Sequence, residues 1–217
     1  MRRRVDGGQR GHPEVRLKTV PAVSVRVAEV RDAHELLQIY GPIVRETAVS
    51  FEVDVPSVEE FARRIGDGVV ARPWLIAERD GVPAGYAYAG PFRARQAYQW
   101  SAEVSVYVAP DARGGGVGRV LYRALLGVLK AQGYAMAFAG IALPNPASVV
   151  LHERLGFQQV GVFHRAGFKF NAWHDVGWWE RALTQSLPGA PPSPFSHFQR
   201  ERVDQLLREL VGAGTTL

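Results

Sequence analysis

The chain has no cysteine. Disulfides, cysteine metal sites and a cysteine nucleophile are therefore excluded. No apolar run reaches the roughly 18 residues of a membrane span, so no membrane partner is expected. The arginines after Met1 lead into Asp6, Gly7 and Gly8 rather than an apolar stretch. That does not match a secretory signal, and a cytoplasmic location is expected. There is no HExxH signature, and His164 and His174 have no cysteine companions, so no metal is expected. A broad excess of positive charge is also lacking. Of the formal net charge of +5, residues 1–23 carry +4, from six basic and two acidic residues. The basic balance belongs to a tail, and no nucleic-acid partner is expected.

What remains is an ordinary globular composition, 47% hydrophobic and 22% charged over 217 residues. That supports one well-cored domain with extensions. Residues 1–23 are Arg/Gly-rich without periodicity and read as a flexible extension or an upstream start-site artefact. Residues 24–185 form the domain. Residues 186–217 hold a Pro-rich linker and an amphipathic helix with Phe198, Val203, Leu206, Leu207, Leu210 and Val211 at helical spacing. Its apolar stripe must be buried, either on its own domain or on a partner. No internal repeat is present.

The stretch Glu103–Gly118 organises the domain. Val104, Val106 and Val108 alternate with Ser105 and Tyr107, which predicts a strand. Pro110 and Asp111 end it, and Arg113-Gly114-Gly115-Gly116-Val117-Gly118-Arg119 opens a helix with apolar Val117, Val120, Leu121, Leu125, Val128 and Leu129. A glycine turn at a helix start exposes unpartnered backbone N–H groups and attracts phosphate. The Walker pattern fails because Arg119 and Val120 follow Gly118, and the Gly-x-Gly-x-x-Gly pattern fails in both registers. The pattern present is Arg-x-x-Gly-x-Gly, on Arg113, Gly116 and Gly118.

Elsewhere, Val23, Val25 and Val27 alternate as a first strand, and Asp32 with Glu35 has the spacing of a capping box before a helix kinked at Pro42. Ser57 and Glu60 cap a second helix carrying Phe61 and Ile65. Strands are expected at Trp74–Glu78, at Pro83–Ala89 after an Asp80-Gly81 turn, within residues 98–108, and at Tyr134–Leu143, Phe157–His164 and Asp175–Leu183. Asn145 and Pro146 open a short helix closed by Gly156. The mixture predicts an α/β or α+β domain with a mixed central sheet flanked by helices and a C-terminal helical extension.

Four further stretches accompany the glycine turn: Ala89-Gly90-Pro91-Phe92-Arg93-Ala94-Arg95 through Glu103; Leu143-Pro144-Asn145-Pro146 with Leu151-His152-Glu153-Arg154-Leu155-Gly156-Phe157; Ala166-Gly167-Phe168-Lys169 through Trp173-His174-Asp175-Val176-Gly177; and Thr47 to Glu52. Together they resemble the GNAT superfamily of N-acetyltransferases, and within it the phosphinothricin acetyltransferase branch, from about Ser24 to Leu183. The resemblance implies a GNAT fold, acetyl-coenzyme A as co-substrate, a small amino acid acetylated on its α-amino group, and a homodimer. It implies cofactor contacts by Val106, Tyr107, Val108, Arg113, Gly114, Gly115, Gly116, Val117, Gly118, Arg119 and Asn145, and a substrate pocket including Phe51, Arg93, Arg95, Ser105 and Val176.

The resemblance makes Glu103 the general base that takes the ammonium proton as attack begins. The alternative is a carboxylate that only pairs with Arg93 or Arg95. Backbone N–H groups along Val106–Val108 are expected to receive the oxyanion. His152 stands where much of the superfamily has a tyrosine acid. It could act as the acid, orient Glu103, line the pocket, or be a satisfied helix-face histidine. Arg93 and Arg95 lie on one side if their segment is extended, and would pair with an acidic or zwitterionic side chain, or else form a solvated basic loop. Trp173, Trp178 and Trp179 are expected in the core. Competing functions are acetylation of methionine sulfone or sulfoximine, and a non-catalytic acyl-coenzyme A-binding module.

Overall fold

The alternating valines at 23, 25 and 27 build the edge strand β1 (Val23–Val27) in a computed structural model of the protein, which describes residues 23–186 and 189–212. The expected N-terminal extension lies, but for Val23, outside the described residues. β1 pairs antiparallel with β2 (Trp74–Arg79), β2 with β3 (Val82–Pro91), and β3 with β4 (Ser101–Val108). β4 is parallel to β5 (Met136–Leu143), so a crossover must join them, and helix α3 (Val117–Gln132) supplies it. β5 pairs antiparallel with β7 (Ala172–Ala182), which carries β6 (Gln158–Lys169) at its other edge. The mixed seven-stranded order is β1-β2-β3-β4-β5-β7-β6.

Alternation along the strands makes two cores. On one face α1 (Ala33–Glu46) and α2 (Val58–Ala71) cover Trp74, Ile76 and Tyr86. On the other, α3 lays Val117, Leu121, Leu125 and Val128 over Leu75, Ala87, Ala89, Ala102 and Val104. Four of the five strand residues under α3 are alanine or valine, so the helix sits close to the sheet and its leucines fill the space between. α4 (Pro146–Arg154) begins at the end of β5. α5 (Arg200–Gly212) docks on its own domain: Val203 and Leu207 are buried, and Leu210 covers Gly127 of α3 so closely that a Cβ there would collide with it.

Four local expectations are corrected. Asp32 does not cap α1. Its carboxylate receives two bonds from Arg26, at 2.7 and 2.8 Å, and one from the Glu29 N–H at 2.7 Å, so it is already occupied. The last two strands are longer than the pattern predicts and form a hairpin closed at Phe170 and Asn171, both at positive φ (52° and 56°). Trp173 is not in the core. It is 59% exposed on that hairpin and packs edge-on against Phe168. The segment after Pro91 bends into a 3-10 turn at Gln96–Tyr98 rather than running extended, so spacing alone does not put Arg93 and Arg95 on one side. The Ser57 cap forms as expected, with its hydroxyl accepting from the Glu60 N–H at 3.1 Å, and α1 continues through Pro42.

Candidate active site

The parallel ladder between β4 and β5 is short. It joins Ser101 to Met136, Ala102 to Ala137 and Glu103 to Phe138, and no pairing follows. Beyond Glu103 the strands part. Past that point Val106, Tyr107 and Val108 line one side of a cleft of about 600 Å³, and Asn145, Ser148 and Leu151 of the α4 segment line the other.

The glycine turn closes the end of this cleft. Arg113, Gly114, Gly116, Val117, Gly118 and Arg119 line it, so ten of the eleven expected cofactor residues are brought together. Gly114 and Gly116 stand at φ 73° and 81°, a conformation that charges other residues a steric penalty. Gly116 is the N-cap of α3 and its carbonyl accepts the first helical bond, from Val120. The N–H groups of the first turn therefore lack helical partners. Gly115 is the exception to the lining. Its carbonyl accepts from Arg79 Nη2 at 2.7 Å. Arg79, at the end of β2, thus props the turn from outside. Nothing in its local sequence signals this, because the contact spans 36 positions. Asn145 lines the cleft while its side-chain oxygen caps α4 through the Ser148 N–H.

Glu103, Ser105 and Tyr107 alternate onto the face covered by α1 and α2. Glu103 is half-buried at the point where the strands separate. Burial raises the pKa of its carboxyl, and the charge of Arg93 pulls the other way. Among the described residues, neither Arg93 nor Arg95 forms an ion pair with it. The Arg93 guanidinium instead stacks over Phe92 at 4.4 Å and Trp178 at 5.4 Å, and donates to the Phe92 carbonyl. Arg95 is exposed. Phe51 lies against Gly167 of the hairpin, and Val176 is half-buried opposite Ala142 and Phe163.

His152 is placed differently from the other expected site residues. It is 3% exposed and does not line the cleft. Its Nδ1 lies 2.7 Å from the Ser148 carbonyl and so carries the proton; Nε2 then accepts from the Tyr122 hydroxyl at 3.0 Å. Burial lowers its pKa, so the ring is neutral. The same Tyr122 hydroxyl lies 3.4 Å from the Val104 carbonyl, on the strand that carries Glu103. Tyr122 hides in sequence because it reads simply as part of the apolar face of a helix. Among the described residues no group of three metal-ligating side chains occurs, and no helix is long and apolar enough to cross a membrane.

Comparison with known proteins agrees with this geometry. Residues 25–178 match the sequence model of the acetyltransferase (GNAT) domain. The chain is 40% identical over 174 residues to a phosphinothricin N-acetyltransferase from Streptomyces viridochromogenes, covering 80% of this chain and 95% of that protein. It is 30% identical to an L-methionine sulfoximine/L-methionine sulfone acetyltransferase from Salmonella typhimurium, over 75% of this chain and 96% of that one. The crystal structure of a phosphinothricin acetyltransferase from Sinorhizobium meliloti, in complex with acetyl-coenzyme A, superposes with a TM-score of 0.76 at 33% identity, over 81% of this chain and 97% of that chain.

Proposed function

We propose that this chain, which belongs to the GNAT acetyltransferase family, moves an acetyl group from acetyl-coenzyme A to the α-amino group of a small amino acid such as phosphinothricin. The observation that carries the reading is the parting of β4 and β5 directly after Glu103. Glu103, whose carboxyl is made more basic by burial, lies on the strand whose later residues, Val106, Tyr107 and Val108, line a cleft that also holds the phosphate-friendly turn.

The residues present suit coenzyme A. The α3 N-terminus and the glycine turn offer N–H donors to a pyrophosphate, and Arg113, Arg119 and Arg154 line the same cleft with positive charge. Coenzyme A supplies the acetyl group as a thioester when bound. In this reading Glu103 accepts the ammonium proton, directly or through water, and frees the amine to attack. Backbone N–H groups along Val106–Val108, past the end of the β5 ladder, receive the negative charge that develops on the carbonyl oxygen. His152, buried and neutral, acts by position: it holds the Tyr122 hydroxyl against β4. Ser105, Phe51, Val176, Arg93 and Arg95 are assigned to the amino acid.

The second reading replaces phosphinothricin with methionine sulfoximine or sulfone, the substrates in the name of the Salmonella relative. A homodimer in the cytoplasm belongs to the same proposal, and the exposed Phe163, Phe168 and Trp173 of the hairpin support a partner there. A panel of phosphinothricin, methionine sulfoximine and methionine sulfone, assayed for release of free coenzyme A thiol, tests the function. Turnover of the first at the highest kcat/KM is expected. Acetyl-coenzyme A binding without turnover of any amino acid would leave only a binding module.

A further inference from the structure

Lys169 ends β6, one residue before the Phe170–Asn171 turn. Its side chain is 6% exposed. Its ammonium donates to three main-chain carbonyls: Val44 at 2.7 Å, Ser50 at 2.7 Å and Thr47 at 2.9 Å. An ammonium has three donors, so all are occupied. Among the described residues no carboxylate lies within ion-pair distance. A buried cation without a counter-ion is costly to place, and three converging carbonyl dipoles are costly to leave unpaired.

The three carbonyls define what the contact does. Val44 lies in the last turn of α1, where carbonyls lack helical partners and a positive charge is favoured. Thr47 and Ser50 belong to the loop that follows. This loop gives Thr47 and Val49 to the cofactor cleft and carries Phe51 on the acceptor side. The hairpin grips the same loop a second time. A Cβ on Gly167 would lie 2.6 Å from two Phe51 ring carbons, and the His174 ring stands 6.2 Å from that ring while its Nε2 meets the Lys169 carbonyl at 3.0 Å. From the other side, the Ser50 hydroxyl pairs with Tyr40 at 2.7 Å, and Tyr40 meets Tyr107 edge-on.

We propose that Lys169 is a positioning residue for the amino-acid acceptor, a buried clamp that fixes the Thr47–Phe51 loop between the hairpin and the cofactor cleft. The proposal rests on the reading that the acceptor lies on the Glu103 face. Lys169→Met removes the three donors and keeps the stem. Expected are faster hydrogen exchange at residues 47–51 and an acceptor KM raised by about tenfold or more, with a smaller rise in the acetyl-coenzyme A KM through Thr47 and Val49. Unchanged exchange in the loop, or an unchanged acceptor KM, overturns the clamp. Lys169→Gln provides a second route if Lys169→Met does not fold: its amide keeps two donors in place of three, so loop exchange and the acceptor KM should rise by smaller factors, and parental values for both overturn the proposal. If the unmodified protein acetylates no amino acid, the functional reading fails, while the exchange measurement still judges the clamp.

Discussion

Replacing Glu103 by glutamine separates its chemical role from its structural one, because the two respond with opposite sign. The amide keeps the shape and removes the base. A positioned general base contributes about 10²–10⁴ in rate, or roughly 2.7–5.4 kcal/mol of barrier. Turnover should fall by that factor, with acetyl-coenzyme A affinity retained. Stability should move the other way. Burial raises the Glu103 pKa in the fold above its unfolded value, so ionisation weakens the native state in neutral solution. That penalty vanishes as pH falls through the raised pKa, and glutamine never incurs it. The variant should therefore melt at or above the parent temperature near neutral pH. A chromogenic thiol reagent reads turnover directly, and the absence of cysteine removes any background from the protein itself. The parent should show an acid limb in kcat/KM where Glu103 protonates, and the variant should not. Turnover of Glu103→Gln within about threefold of the parent would refute the base assignment. Loss of both activity and stability would show instead that the carboxylate holds the site together.

Other perturbations follow from individual contacts. The Arg93 charge lowers the Glu103 pKa, so Arg93→Met should move the acid limb of kcat/KM to higher pH, and an unmoved limb would sever the electrostatic link. Gly116→Ala meets no atom within 4 Å but inherits a φ of 81°. A left-handed alanine costs about 1–2 kcal/mol, which lowers the melting temperature of a chain this size by roughly 2–8 °C; an unchanged melting curve would contradict the turn geometry. Leu207→Ala empties a 1%-exposed site between α5 and the domain. It should lower global stability by about 2–5 kcal/mol in urea unfolding, whereas no loss would mean that α5 is not seated on its own core.

Where a side chain's periodicity decides its surroundings, the sequence was enough. The valines of β4, the leucines of α3 and the Ser57 cap each follow from spacing within one element. The turn's glycines were readable for the same reason, since the two positive-φ positions and the start of α3 lie within seven residues. The β6–β7 hairpin was not readable, because Phe170 and Asn171 take positive φ without the Asn-Gly signature that marks such turns. The Gly115–Arg79 bond and the Lys169 clamp were hidden because they join positions far apart in the chain. Asp32 misled because two demands competed for one carboxylate and the tertiary one, Arg26, prevailed over the local cap.

A similar competition is seen where the β4–β5 ladder ends, at Glu103. A parallel ladder that ends early leaves β4 carbonyls needing partners. The Tyr122 hydroxyl, rising from α3, has one proton and two acceptors within reach, the carbonyl of Val104 (the first residue beyond the last paired one) at 3.4 Å and His152 Nε2 at 3.0 Å, and the shorter contact takes it. His152 on α4 meets that hydroxyl from the opposite side at 3.0 Å, and its own Nδ1 is fixed by the Ser148 carbonyl one turn back. Tyr122 and His152 are both fully buried, with ring centroids 5.0 Å apart and Phe157 against each. Together they connect α3, α4 and β4. His152 thereby ties α4 to the strand that carries Glu103, at the residue next to it.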